Sequence, residues 1–133
     1  MAILIDADVI IAAERGTFDL RRWLNSRLGE EFEVSAITIA ELWHGAERAT
    51  DAHRARRRKF IQENLAAFEI IPYTEQTAYT HARLWAELES RGQMIGAHDL
   101  IVAATALERG SDIATFNKRH FAVVKGLNVI EPV

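Results

Sequence analysis

Short apolar runs alternate with longer amphipathic segments along the chain. Residues 3–5 form an apolar run that ends at Asp6, a pattern typical of a strand buried on both faces. Further short strands are predicted at residues 32–36, 68–72, 113–115 and 128–130. Helices are predicted between them, at residues 9–14, 17–28, 38–48, 51–67, 74–91 and 97–109.

Strands separated by helices, without hairpin signals, indicate an α/β protein with a parallel sheet of four to five strands between helices. No segment resembles a linker, so we predict a single domain over residues 1–133. In the helix at 74–91, an apolar stripe is predicted to face the core, formed by Ala78, Ala82, Trp85 and Leu88.

Composition excludes several classes of protein. The chain has 133 residues, 49% of them apolar, and no cysteine, which excludes disulfides, thiolate zinc sites and Cys nucleophiles. Its apolar runs are far shorter than the roughly 20 residues of a membrane span. The N-terminal run reaches Asp6 without a basic leader, unlike a signal peptide. We therefore expect a soluble, cytoplasmic domain with no membrane contact.

The overall charge is slightly acidic, but one segment is strongly basic. The formal net charge is −3, which argues against nonspecific coating of nucleic acid. Between Arg48 and Lys59, however, six basic residues accompany a single acid, Asp51. This segment is predicted either to face phosphates or to be a solvated helix face.

Acidic residues follow several of the predicted elements. In an open parallel sheet, ligands bind beyond the carboxyl ends of the strands. Asp6 and Asp8 follow the first strand, Glu41 lies in the helix after the second, and Asp99 lies in the first turn of the helix before the fourth. Each has a structural alternative: helix capping for Asp6 and Asp8, a capping box with Thr38 for Glu41, and the helix dipole for Asp99.

A divalent cation would relieve the repulsion between these carboxylates. No Arg or Lys is adjacent in sequence to Asp6, Glu41 or Asp99, and converging carboxylates destabilise one another. Oxygen ligands suit Mg²⁺, with Mn²⁺ as a substitute, whereas zinc prefers Cys or paired His. We therefore predict a Mg²⁺ site that acts on a phosphate ester.

Four motifs, in this order, resemble those of the PIN-domain ribonucleases, and more narrowly the VapC-type toxins of toxin–antitoxin pairs. They are the strand ending at Asp6, Thr38-x-x-Glu41, Asp99 within HDLIVAATA, and Ala114-Thr115-Phe116-Asn117. The resemblance covers essentially the whole chain. It implies a three-layer α/β/α fold, metal-dependent RNA cleavage, a homodimer, and an antitoxin that occupies the active-site groove.

Residue by residue, Asp6, Glu41 and Asp99 match the three family acids. The resemblance implies that Asp6 and Asp99 ligate the metal, that Glu41 ligates it or orients the attacking water, and that Asn117 positions the phosphate. Supporting roles are expected for Asp8, Thr38, Thr115 and His120. The family's fourth acid is absent, because Asn117 and His120 stand where it would be. The substrate implied is a transfer or ribosomal RNA.

Surface contacts are predicted less specifically. The basic segment offers contacts to RNA or to the antitoxin through Arg54, Arg56, Arg57, Arg58 and Lys59. Three aromatic residues, Trp43, Tyr79 and Trp85, are interpreted as core or dimer contacts.

The sequence excludes two competing protein classes, a phosphatase and a receiver domain, and leaves one binding module open. The pair Asp6 and Asp8 resembles the nucleophile motif of haloacid-dehalogenase-type phosphatases, but the acidic pair that should follow a later Lys is missing. A receiver domain would need an acceptor Asp after the third strand, which is absent. The missing fourth acid leaves open a catalytically impaired PIN-fold module that binds RNA or protein.

Overall fold

The computed structural model describes residues 2–133 and has a five-stranded sheet in which every neighbouring pair of strands is parallel. The strand order is β3-β2-β1-β4-β5. The strands are β1 (Ala2–Ile5), β2 (Glu31–Ser35), β3 (Glu69–Ile71), β4 (Asp112–Ala114) and β5 (Val129–Ile130). The α/β class and the parallel sheet of four to five strands predicted from the sequence are confirmed, with five strands formed.

Within residues 2–133, seven helices cover the two faces of the sheet. They are α1 (Ala7–Glu14), α2 (Leu20–Asn25), α3 (Ala36–Glu47), α4 (Asp51–Leu65), α5 (Glu75–Ser90), α6 (Ala97–Arg109) and α7 (Lys118–Phe121). Side chains of β1 alternate between two apolar clusters: Ile3 and Ile5 join one, and Leu4 joins the other. The first cluster includes residues of α1 to α4 and the second includes residues of α5 to α7. This is the expected three-layer α/β/α arrangement.

The strand order places the ends of β1 and β4 side by side at the centre of the sheet. The chain adds β2 and β3 on one side of β1 and then crosses to add β4 and β5 on the other. Such a switch in direction opens a crevice at the carboxyl ends of the strands. The amide of Asp6 donates to the Ala114 carbonyl at 2.9 Å, which extends the pairing to the point where both strands end.

Asp112 lies at the opposite edge. It opens β4 and pairs in register with Ile3, near the amino end of β1. Its carboxylate is therefore separated from the carboxyl ends of the strands. No helix within residues 2–133 is long and apolar enough to cross a membrane.

The main differences from the predicted elements are two helix starts and one helix that was not predicted. The helix predicted at 17–28 is the much shorter α2, which starts after Asp19 because that carboxylate accepts the Arg22 amide at 3.1 Å. Helix α3 starts at Ala36, so Thr38 lies inside its first turn and the alternative role of Glu41, a capping box with Thr38, is excluded. The four-residue α7 was not predicted; its fully buried Phe121 anchors it to the core.

The predicted apolar stripe of α5 is wrong except for Leu88. The buried positions are Thr77, Thr80, Leu84 and Leu88. Thr77 can be buried because its hydroxyl is used in a capping box with Thr74 at the start of the helix. Hydropathy alone does not place these threonines in the core, so the predicted apolar stripe lies on a different face of α5 from the buried one.

The aromatic residues separate into two groups. Trp43 packs against the first apolar cluster, as one of its two interpretations predicts. Tyr79 and Trp85 are 59% and 48% exposed, which contradicts the core interpretation and leaves the dimer contact as a prediction. Trp85 stacks instead on the ring of His81, with 5.6 Å between ring centroids.

A buried charge cluster ties β2 to the turn between α6 and β4. Glu33 is fully buried, and its carboxylate accepts hydrogen bonds from Arg109 Nε at 2.9 Å and Ser111 Oγ at 2.7 Å. The Glu33 carboxylate in turn raises the pKa of Arg109 further above its ordinary value. Because a buried carboxylate is costly without such partners, this cluster is structural.

Candidate active site

Asp6 is the most deeply buried acid at the carboxyl edge of the sheet, with 5% of its surface exposed. It ends β1 and caps α1, where Oδ1 accepts the Ala7 amide at 2.9 Å. Oδ2 accepts the Thr115 hydroxyl at 2.9 Å. Burial, together with the nearby charges of Asp8 and Asp99, raises the pKa of Asp6 to about 7 despite these hydrogen bonds. Asp6 therefore does cap α1, as the structural alternative predicts. The capping hydrogen bond does not offset burial and the repulsion from Asp8 and Asp99, so the pKa of Asp6 stays high.

Asp8 lies one position into α1's first turn and is tied to the loop after β4. Its Oδ2 accepts the Phe116 amide at 3.0 Å and lies 3.2 Å from the Thr115 hydroxyl oxygen. Burial raises the pKa of Asp8, and the charge of Asp99 adds to the shift. Asp8 thus belongs to the same negatively charged crevice as Asp6.

Glu41 enters this crevice from α3. Its pKa is raised by burial and by the charges of Asp99 and Asp8, while His98 opposes the rise. The Oε1 atom is buried and has no hydrogen-bond partner within residues 2–133; His98 Nδ1 lies 3.7 Å away. A buried carboxylate oxygen without a donor is unfavourable, so Glu41 is poised to accept a ligand. The buried Thr38 hydroxyl, one turn earlier, likewise lacks a partner among the described residues.

Asp99 reaches the crevice from the first turn of α6 and contacts the segment after β4. Its Oδ2 lies 3.2 Å from His120 Nδ1, and the same nitrogen lies 2.7 Å from Asn117 Nδ2. The backbone amide of Asn117 donates to the Thr115 hydroxyl oxygen at 3.0 Å. A continuous chain of polar contacts therefore runs from Asp6 through Thr115 and Asn117 to His120 and Asp99.

The donor set fits a hydrated divalent cation in chemistry and charge. Three of the four carboxylates have raised pKa values because they are buried near like charges, and a cation would remove this repulsion. As the side chains stand, no group of three or more His, Asp or Glu residues in the range 2–133 could hold a metal ion. Binding of a metal ion would therefore require at least one of these side chains to adopt another rotamer.

Two groups that contact the carboxylates of this site were not identified from the sequence. His98 contacts Glu41, and its position directly before Asp99 is the only signal that could have suggested it. The Phe116 amide binds Asp8 through the backbone, and a backbone donor leaves no signal in the sequence.

The basic segment of α4 is mostly engaged within the fold. Arg57 bridges Glu14 at 3.2 Å and the Gly45 carbonyl at 2.8 Å, and so joins α4 to α1 and α3. The remaining ion pairs are Arg54 with Asp51, Arg58 with Glu47 and Lys59 with Glu63. Arg56 contacts His53 at 2.9 Å and has no acidic partner among the described residues. The structure favours a solvated helix face for most of the segment and leaves Arg56 as its unpaired cation.

Comparison with known proteins shows the family to which the chain belongs. The family model of the PIN domain matches residues 3–127. The chain therefore belongs to the PIN-domain family, with VapC proteins as its relatives. Ribonuclease VapC1 of Rickettsia felis is 34% identical over 131 residues, covering 98% of this chain and 96% of that protein.

Solved structures show the same fold. VapBC from Salmonella typhimurium, solved bound to DNA, matches with a TM-score of 0.89 at 24% identity, covering 98% of this chain and 97% of that one. VapBC-5 from Mycobacterium tuberculosis, a member of the VapBC family of toxin–antitoxin systems, matches with a TM-score of 0.75 at 25% identity and 98% coverage of each chain.

Proposed function

We propose that this chain is a metal-dependent endoribonuclease, the toxin of a VapBC-type toxin–antitoxin pair, and that it requires Mg²⁺. The observation that carries the proposal is Asp6, a nearly buried carboxylate whose pKa is raised to about 7 among further acids. A carboxylate that is this costly to ionise, at the edge of the sheet where ligands bind, indicates a functional residue, because strongly shifted pKa values cluster at functional sites. The relatives named ribonuclease VapC support the same activity.

In this proposal Asp6 and Asp99 bind the cation, with Glu41 as a further ligand or as the residue that orients the attacking water. When bound, Mg²⁺ supplies Lewis acidity and screens the phosphate from the carboxylates; Mn²⁺ can replace it. Thr115 fixes Asp6 and Asp8 through its hydroxyl. The side-chain amide of Asn117 positions the scissile phosphate.

The reaction proposed is hydrolysis by in-line attack of water on phosphorus. Glu41 Oε1, which has no hydrogen-bond partner among the described residues, accepts the proton of the attacking water. Its raised pKa makes it a better base than an ordinary glutamate. The bond from phosphorus to the 3′ oxygen breaks, the departing 3′ oxygen takes a proton from solvent water, and the products carry a 5′-phosphate and a 3′-hydroxyl.

The test compares carboxylates at the two edges of the sheet. We expect Asp6→Asn, Glu41→Gln and Asp99→Asn each to lower the rate of RNA cleavage by at least ~100-fold, and a chelator to abolish it. Asp112→Asn makes the same chemical change at the opposite edge and should leave the rate unchanged. Equal cleavage by wild type and Asp6→Asn would refute the proposed site.

One observation favours a second candidate, a PIN-fold module that binds RNA or protein without cleaving it. Asn117 and His120 stand in the segment where the resemblance expects a fourth acid. Titration with Mg²⁺ separates the two functions, because only a ligand that binds the native state raises its stability. The enzyme should melt at a higher temperature in millimolar Mg²⁺, whereas the binding module should not.

We further propose the partners that such a toxin requires: a transfer or ribosomal RNA as substrate, and a cognate antitoxin. Solved VapBC complexes with similar folds support the antitoxin. We also propose a homodimer in the cytoplasm. The exposed Tyr79 and Trp85 on α5 support the dimer, since aromatic residues are enriched at protein interfaces. Light scattering of Trp85→Ala would show a monomer if α5 forms that interface, and an unchanged dimer if it does not.

A further inference from the structure

His120 is held at the crevice by the short helix that carries it. Its neighbour Phe121 is fully buried, and its own amide donates to the Asn117 carbonyl at 3.1 Å. The imidazole itself is 54% exposed, so it is not held by core packing. Its Nδ1 atom nevertheless points at Asp99 Oδ2, 3.2 Å away. The backbone therefore presents one ring nitrogen to the same space as the acids.

The distance between these two atoms matches that between neighbouring ligands of one cation. Ligands about 2.1 Å from a six-coordinate cation lie about 3.0 Å apart when they occupy adjacent positions. In the neutral imidazole with Nδ1 unprotonated, the lone pairs of Nδ1 and Asp99 Oδ2 face each other. Such a contact is favourable only with a proton or a cation between them.

We propose that His120 binds the cation directly through Nδ1, beside Asp99, and so supplies the ligand that a fourth acid would otherwise provide. This inference rests on the proposed metal-dependent function. The side-chain amide nitrogen of Asn117, which lies 2.7 Å from Nδ1 in this structure, is then free to contact the substrate. The site becomes a mixed nitrogen and oxygen site.

An imidazole ligand changes which metal the site prefers. Mg²⁺ binds oxygen ligands almost exclusively, whereas imidazole nitrogen suits first-row transition metals. Replacing a carboxylate by His also removes one negative charge, which weakens binding of Mg²⁺ most. We therefore expect this chain to favour Mn²⁺ over Mg²⁺ more strongly than an all-carboxylate site would.

Among the residues that the structure describes, His98 is the other imidazole that contacts one of these acids, and it provides a matched control. Its Nδ1 lies 3.7 Å from Glu41 Oε1, and its side chain is exposed to the same degree as that of His120. It lies on α6, one residue before Asp99. The two histidines can therefore be exchanged for alanine in parallel, with similar consequences for the fold.

The experiment uses Mn²⁺ as the probe, bound to the purified full chain and followed by electron paramagnetic resonance. Electron spin echo measurements detect ¹⁴N of a directly coordinated imidazole. We expect this ¹⁴N signal in the wild type and in His98→Ala, and its loss in His120→Ala and His120→Asp. We also expect His120→Asp to lower the ratio of Mn²⁺ to Mg²⁺ affinity by ~10-fold, since it restores an oxygen ligand.

The outcomes distinguish this inference from the proposed function. A ¹⁴N signal that persists in His120→Ala, or that is absent while Mn²⁺ is bound to the wild type, overturns the role of His120 but leaves the metal site intact. Failure of the wild type to bind Mn²⁺ at millimolar concentration overturns the metal site, and His120's role with it. Circular dichroism of each variant confirms that the fold is retained.

Discussion

Thr115 donates its hydroxyl hydrogen to Asp6 Oδ2 over 2.9 Å, and this bond joins the ends of β4 and β1. The same hydroxyl oxygen lies 3.2 Å from Asp8 Oδ2 and accepts the Asn117 amide. A hydroxyl has one proton, so it can satisfy only one of the two carboxylates at a time. The second must remain partly unsatisfied until another donor or a cation arrives.

Removing this hydroxyl should therefore destabilise the metal-free protein. Thr115→Val keeps the shape of the side chain but leaves Asp6 without one of its two donors. We expect a loss of ~1–3 kcal/mol in the free energy of unfolding at pH 8, measured by urea denaturation in the presence of a chelator. Thr115→Ser retains the hydroxyl and should lose less than half as much. An equal loss in both variants would show that the methyl group matters, rather than the hydrogen bond.

Removing the charge of Asp6 should have the opposite effect on stability. A pKa raised from 3.8 to about 7 sets an upper limit of about 4 kcal/mol on the cost of ionising this group in the folded protein. Asp6→Asn retains an acceptor for Ala7 and removes that cost. We expect it to gain ~1–2 kcal/mol at pH 8 without metal while losing RNA cleavage. If the variant unfolds instead, Asp6 is a structural residue and the site is wrongly assigned.

The stability of the metal-free wild type should fall as the pH rises from about 4 to about 7. In this range the folded protein keeps a proton on Asp6 that the unfolded chain has released, because the folded pKa is the higher one. The folded state binds more protons, so its stability decreases with pH. The raised pKa values of Asp8 and Glu41 act in the same direction. Urea midpoints measured at several pH values should show this slope, and Asp6→Asn should flatten it.

The fold was predictable because burial on both faces gives parallel strands an unmistakable pattern. The run at residues 3–5 and its termination at Asp6 placed β1 correctly. The same rule failed for α5, where Thr77 is buried through a hydrogen bond that hydropathy does not describe. It also missed Glu33, a fully buried acid whose partners Arg109 and Ser111 lie far away in sequence. Long-range pairing of charges is not encoded in any local pattern.

The candidate site was predictable in its acids but not in their connections. Asp6, Glu41 and Asp99 stood out because each acid interrupts an apolar segment. Their contacts depend on where β4 and α7 bring the loop after Ala114, which only the folded chain determines. The roles of the Phe116 amide and of His98 against Glu41 follow from that placement.

The buried charge cluster around Glu33 makes a prediction about stability alone. Arg109→Met leaves the Glu33 carboxylate buried with only Ser111 as a donor, and we expect it to cost ~3–5 kcal/mol. The double variant Glu33→Gln/Arg109→Met removes both charges and should recover at least half of that loss. Urea denaturation of the three proteins measures the difference. Recovery below a tenth would show that Arg109 acts through packing of its aliphatic stem.

Arg56 should carry whatever RNA contact the basic segment makes. Arg54, Arg57, Arg58 and Lys59 of α4 each pair with an acid within the fold, whereas Arg56 contacts His53 and pairs with no acid among the described residues. A phosphate contact releases counterions, so Arg56→Gln should reduce the slope of log affinity against log salt by ~0.7, with RNA binding measured in a cleavage-deficient Asp6→Asn background. Arg58→Gln, whose charge is paired with Glu47, is the matched control and should leave the slope unchanged. A slope that neither substitution alters would show that this face of α4 does not contact RNA.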